Sequence, residues 1–257
     1  MLNYIKDFIK KYWILLIAFT LIGLVGGAFT GLYSWDSLGE EFLKEAAAAG
    51  LNKPLYAVVS ALQAAGYTIF CGVFGIVLSK KIGLWKDEFK FEKKPIIYAI
   101  LVAALGGIVT MLLDMFVFGA IENVIAESYK DKPTIEFIIA SLTYGGVIEE
   151  LMIRLFLMSL IAFVIHKIFA KNKEERVSNK VLIIANIIAA LVFAAAHLPS
   201  TAMLMGLNAV IVIRCFLING LLGFMFGELY RKYGITYAII GHILIHIVMK
   251  LIWILFV

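Results

Sequence analysis

The sequence predicts an all-α fold, a polytopic transmembrane bundle of about seven spans with its N-terminus in the cytoplasm. Three observations carry that reading: 63% of the 257 residues are hydrophobic against 16% charged, the apolar residues gather into long runs, and the basic residues gather between those runs. A chain with a mean hydropathy of +0.97 has too few polar side chains to cover its apolar stretches in water. About 20 apolar residues in a helix cross the roughly 30 Å hydrocarbon core. Runs of that kind occur at 13–33, 55–79, 96–120, 134–165, 181–199, 209–230 and 235–257. A β-barrel would instead show segments of about ten residues alternating with period two, and Ile183 to Ala196 shows no alternation.

Taken in order, the first span carries Gly23, Gly27 and Gly31 on one helix face, a close-packing seam. It is too long, and its flank Tyr33-Ser34-Trp35 too bulky, for a cleaved signal peptide, so it reads as an anchor. Between spans one and two, Trp35, Leu38, Phe42, Ala46 and Ala49 recur at helical spacing with acidic residues and Lys44 between them, which fits a short interfacial helix. Lys80 to Lys94, between spans two and three, reads as a basic hinge at the lipid headgroups. The sixth span repeats the small-residue seam with Gly223 and Gly227. No linker divides the chain, so residues 1–257 form one membrane domain, with the chemically active motifs confined to 134–257.

Of the 23 basic residues, 16 fall on one side of these spans: Lys6, Lys10, Lys11, then Lys80, Lys81, Lys86, Lys90, Lys93, Lys94, then Lys167, Lys171, Lys173, Arg176, Lys180, and finally Arg231 and Lys232. The other side holds only Lys44, Lys53, Lys130 and Lys132. That asymmetry sets the N-terminus inside and the C-terminus outside. It also explains the net charge of +5 through anionic inner-leaflet lipid, which makes lipid a partner and nucleic acid not one. Cys71 and Cys215 fall within spans and read as small packing residues.

The fourth span contains Glu149-Glu150-x-x-x-Arg154. An ionisable side chain at membrane depth costs at least about 2.5 kcal/mol, so three within six residues mark a functional site or a paired structural knot. Glu150 and Arg154 are four apart and share a helix face, which suits an ion pair, whereas Glu149 is turned by roughly 100° toward other neighbours. Glu150 with Arg154 therefore reads as a brace and Glu149 as the free reagent. Three of the four histidines, His197, His242 and His246, also lie in spans; Phe193 precedes His197 by four, and His242 and His246 share a face of the last span. Each needs a polar partner away from lipid, and one shared cavity, set between mid-membrane and the cytoplasmic side, supplies it. Asp114, Arg214 and Lys250 read as snorkelling near span ends, and Asn186 and Asn219 as interhelical hydrogen-bonding groups.

These motifs, Glu149-Glu150-x-x-x-Arg154, Phe193-x-x-x-His197 and His242-x-x-x-His246 in that order on separate helices, resemble those of the CPBP family of CaaX proteases and bacteriocin-processing enzymes, also called the ABI family. The resemblance covers about 145–250. His246 stands where the family often has Asn, and there is no room for the eighth span some members carry. The resemblance implies an intramembrane endopeptidase without a cofactor: Glu149 and His197 position and activate water, while His242 and His246 form the oxyanion hole. Glu150, Arg154 and Phe193 give structural support. The substrate class it implies is a protein or peptide, with prenylated CaaX proteins and peptide precursors among the options.

The same Glu149, His197, His242 and His246 offer a rival as Zn²⁺ ligands, lowering the pKa of a bound water. A catalytically silent scaffold and a transporter are the non-enzymatic readings; the former is disfavoured because no motif residue is missing, the latter because no repeat or paired broken helix is visible. The location is an integral membrane one, with the plasma membrane preferred over the endoplasmic reticulum.

Overall fold

The computed structural model describes residues 2–86, 92–170 and 176–257, with side chains from residue 6 onward. Lys90, Lys171 and Lys173 of the basic set, and the middle of the 80–94 hinge, lie outside the described residues. Among the described residues the structure is helical and has no strand. Six helices are long and apolar enough to cross a membrane. They are α1 (Leu2–Trp35), α3 (Lys53–Lys81), a span covering α4 (Lys93–Leu113) and its continuation to Ile121, a span joining α7 (Asn179–Ala196) to α8 (Leu198–Met205), α9 (Ala209–Tyr233) and α10 (Ile235–Phe256). Short helices α2 (Glu40–Ala48) and α5 (Asn123–Glu127) connect them.

The expected fourth span is present as a rod over 135–169, here called α6, but it is not one regular α-helix. Ile135–Ala140 and Ser159–Phe169 are α-helical, while Ser141–Glu149 and Leu151–Met158 are π-wound, their hydrogen bonds reaching one residue further. At the start of this wide winding the Ser141 hydroxyl donates to the Phe137 carbonyl, and that of Thr143 to Ile139 at 2.6 Å. Such back-bonding competes with the regular ladder and bends helices.

Side-chain caps fix the helix starts. Asn52 accepts from the Leu55 N–H, Thr134 from Phe137, Ser178 from Val181 and Asn208 from Ile211, each satisfying a backbone donor that would otherwise be left open. Gly234, with φ of 101°, makes the tight reversal between α9 and α10 that a residue with a Cβ resists. Leu, Ile, Val and Phe side chains such as Ile14, Leu62, Leu105 and Ile213 point outward, which suits lipid and is the inverse of a soluble surface.

The glycine seams are real contacts. A Cβ on Gly27 would lie 2.4 Å from the Ser60 carbonyl oxygen, and one on Gly31 2.8 Å from Ala57 Cα, so α1 and α3 touch backbone to backbone. Gly227 gives the same close approach to Asn186 of α7. Asn186 itself donates to the Phe224 carbonyl at 3.0 Å, the interhelical bond expected of it.

The three outlying charges do not snorkel. Asp114 is fully buried and takes a two-pronged contact from Arg214, Nε to Oδ1 at 2.6 Å and Nη2 to Oδ2 at 2.5 Å, with the Tyr129 hydroxyl donating to Oδ2 at 2.6 Å. The pair meets across α4 and α9, so each ion finds its counterion in the protein instead of reaching water. Lys250 is buried with its ammonium 4.5 Å from the centre of the Phe137 ring.

Candidate active site

Adjacent glutamates on α6 have opposite environments. Glu150 is fully buried, and its Oε1 lies 2.9 Å from Arg154 Nη1 and accepts from His242 Nδ1 at 2.7 Å. Arg154 Nη1 is close to Oε1 without an aligned hydrogen bond, and Glu150 Oε2 has no partner. The pair is therefore held by charge and enclosure more than by a complete hydrogen-bond set. Arg154 also donates from Nη2 to the Gly223 carbonyl at 2.9 Å, and its guanidinium stacks 4.4 Å over Phe193 and 5.5 Å from Phe226. A Cβ on Gly223 would sit 3.0 Å from Phe193 and 3.1 Å from Arg154. The seam on α9 thus makes room for the brace.

Glu149 makes no hydrogen bond or ion pair to any described residue and faces a cavity of about 590 Å³. His197 and His246 share that cavity with it, as do Asn219 and an aromatic wall of Tyr33, Tyr67, Phe137, Tyr144 and Phe193.

His197 caps the end of α7, where Pro199 interrupts the ladder and starts α8. Its Nδ1 lies 2.8 Å from the Phe193 carbonyl oxygen. A carbonyl only accepts, so Nδ1 carries the proton and Nε2 of the neutral ring is left with a lone pair. Phe193 therefore acts through both of its halves, its ring against Arg154 and its carbonyl on His197.

The structure brings Glu149, His197 and His246 to the cavity and sets His242 behind them. The His242 ring stacks on Phe226 at 4.4 Å and on His246 at 5.0 Å, and with Nδ1 held by Glu150 it keeps Nε2 as its one free ring nitrogen. His246 is pressed against the widened α6: a Cβ on Gly145 would be 2.9 Å from His246 Nε2, and one on Gly146 2.4 Å from Ile243.

Two parts of the site escaped sequence reasoning. Thr30, Tyr33 and Tyr67 of α1 and α3 complete the wall, although those spans carry no polar motif that would draw attention. Asn219, read as an interhelical bonding group, bonds within its own helix to the Cys215 carbonyl at 3.0 Å and lines the cavity. The cavity runs from Glu149 and His246, near the middle of their helices, out to Tyr33, Phe137 and Ser200, which lie at helix ends remote from the basic segments.

Among the described residues, no three His, Cys, Asp or Glu side chains are grouped closely enough to hold a metal ion. Glu150 is engaged by Arg154 and His242, and His197 offers a single nitrogen. The donor set present is therefore a poor fit to the tetrahedral zinc site, which needs at least three converging protein ligands.

The fold and this cavity define an integral membrane protein with a carboxylate and imidazoles enclosed among its spans. A family model described as Rce1-like, type II CAAX prenyl endopeptidase Rce1-like, matches residues 131–248. Over that stretch the chain is similar to that family of proteases, and the match contains all the motif residues from Glu149 to His246. No curated protein and no solved structure matches the chain.

Proposed function

We propose that this protein is an intramembrane endopeptidase in which Glu149 activates a water molecule for attack on a peptide carbonyl. The observation that carries the reading is the division of labour on α6, with Glu150 consumed by Arg154 and His242 while Glu149 stands free in the cavity. Water bound between Glu149 and His197 Nε2 gives its proton to Glu149 as its oxygen bonds to the carbonyl carbon. The carbonyl π electrons move to oxygen, and His246, in the cavity wall, donates an N–H to that oxyanion. His242 supports it from beneath; with its Nδ1–H given to Glu150, its Nε2 would join as a second donor only in the imidazolium form. As the C–N bond breaks, Glu149 passes the proton to the leaving amine. The substrate is a protein or peptide; the aromatic wall suits apolar residues flanking the scissile bond, and prenylated CaaX proteins and peptide precursors both meet that description.

The poor convergence of ligands supports the metal-free form of this chemistry. The test is hydrolysis of quenched fluorescent peptides, prenylated and unprenylated, by the purified protein in detergent micelles or liposomes. Turnover that is lost in Glu149→Gln and indifferent to chelators supports the proposal. Unimpaired turnover by Glu149→Gln, or loss on chelation with recovery on adding Zn²⁺, overturns it.

A further inference from the structure

We propose that the cavity opens on the non-cytoplasmic face of the membrane and takes an apolar peptide segment presented from that side. This rests on the endopeptidase reading and names its substrate class. Helix direction alone decides which end is open. Tyr33 lies at the end of α1, Phe137 at the start of α6 and Ser200 just beyond α7, so the mouth is flanked by the connections 36–52, 122–134 and 197–208. The only Lys or Arg residues on those connections and the first residue of α3 are Lys44, Lys53, Lys130 and Lys132, and the connection over 197–208 has no Lys, Arg, Asp or Glu.

The other ends of the same helices carry the 16 remaining loop cations, from Lys6 near the start of α1 to Arg231 and Lys232 at the end of α9. All these connections are far shorter than about 60 residues, the regime in which Lys and Arg fix orientation. The cations at the mouth are also matched: Lys53 lies 2.5 Å from Asp36, and Lys130 2.6 Å from Glu127.

A prenylated protein made in the cytoplasm would anchor in the inner leaflet and meet the basic end, on the far side of Glu149 from the mouth. A segment that enters past Tyr33, Phe137 and Ser200 instead approaches from the outer leaflet. Exported or surface-anchored peptides with an apolar stretch are the chemical class that fits, since the wall has aromatic rings and no cationic side chain among its lining residues.

The experiment uses the full chain in the inner membrane of intact bacterial cells. Cys71 and Cys215 are buried, so the parent serves as the blank for a membrane-impermeant maleimide. Ser200→Cys at the mouth should label at least about 10-fold faster than Ser178→Cys at the opposite end, and the two should converge once cells are permeabilised. Ser128→Cys and Asn179→Cys repeat the pair should either first variant fold poorly. Faster labelling of Ser178→Cys and Asn179→Cys, or equal labelling of both ends before permeabilisation, overturns the orientation. An impermeant quenched apolar peptide added to the same cells should then be cleaved outside, and not by Glu149→Gln. Cleavage only after permeabilisation overturns the substrate class. The expected labelling with no cleavage even in detergent sinks the endopeptidase reading and the substrate class with it, leaving the orientation standing.

Discussion

His242 Nδ1 and Glu150 Oε1 lie 2.7 Å apart across 92 residues of sequence, and this contact joins the first motif helix to the last. Because the same Oε1 lies against Arg154, one oxygen ties α6 to α10, and through the Arg154 bond to Gly223 it ties in α9 as well. The histidine motif of the last span is thus divided between a residue in the brace and a residue in the cavity wall.

That division predicts different outcomes for the two glutamates. Glu149→Gln should lower turnover by at least about 10²-fold, the usual scale for losing a general base, with the melting temperature of the parent. Glu150→Gln removes the charge facing Arg154 and should lower the melting temperature as well as turnover. Thermal unfolding in detergent measured beside turnover reads both; a stable Glu150→Gln protein would show that the brace carries little of the fold.

Arg154→Ala leaves Glu150 enclosed with its main cation gone. Breaking one side of a buried ion pair costs about 3 to 5 kcal/mol, so folded yield should fall severely and activity with it. Arg154→Lys should recover part of the charge but neither the Gly223 bond nor the stacking on Phe193, leaving intermediate stability. Yield after size-exclusion chromatography separates the three proteins. Equal yields would move Arg154 from the brace into the chemistry.

Gly145→Ala tests how tightly α6 presses on the last span. The added methyl would lie 2.9 Å from His246 Nε2, inside contact distance, so the imidazole must turn away. Activity should fall by at least about 10-fold if His246 meets the transition state, given that misplacement of about 1 Å can cost 10²-fold. Stability should change less than in Gly146→Ala, whose methyl would meet Ile243 at 2.4 Å in a packed seam. If Gly145→Ala turns over like the parent, His246 is not used in this position.

Much of this arrangement is legible in the sequence, and the boundary of legibility is physical. The Glu150 to Arg154 contact follows from four-residue spacing, which brings the two side chains together even where the helix widens. The seven hydrophobic runs and the short helix Glu40–Ala48 follow from composition and periodicity. The π-winding of 141–158 was not readable, because Ser141, Thr143, Gly145 and Gly146 also occur in ordinary transmembrane helices. Pairs closed by tertiary packing were equally silent: Asp114 with Arg214 is 100 residues apart, and nothing local to Tyr33 or Tyr67 says that they wall a cavity. His242 and His246 look equivalent on one helix face, and only their neighbours on α6 distinguish them.

Asn219 is the cavity residue that motif reasoning passed over. Its amide donates to the Cys215 carbonyl within its own helix, which fixes the side chain and leaves its oxygen for the cavity. Asn219→Ala should weaken substrate capture more than the chemical step, raising KM several-fold with a smaller change in kcat, if the amide binds peptide backbone beside the scissile bond. Steady-state kinetics on one apolar peptide decide it. A fall in kcat alone would instead assign Asn219 to the oxyanion.

The last prediction concerns His246, the position where the CPBP family that the motifs resemble often has Asn. As a hydrogen-bond donor it is replaceable: Asn presents an N–H of its own, so His246→Asn should keep at least about a tenth of parental turnover, and chelators should affect neither protein. A zinc enzyme behaves otherwise. Losing one of few ligands would strip most of the metal affinity, and activity would then depend on added Zn²⁺ in the variant and vanish on chelation in the parent. Metal analysis of the purified protein supplies a readout independent of turnover, with substoichiometric zinc expected. Retained activity in His246→Asn with zinc far below one per chain supports the donor role; stoichiometric zinc, lost together with activity in the variant, overturns it.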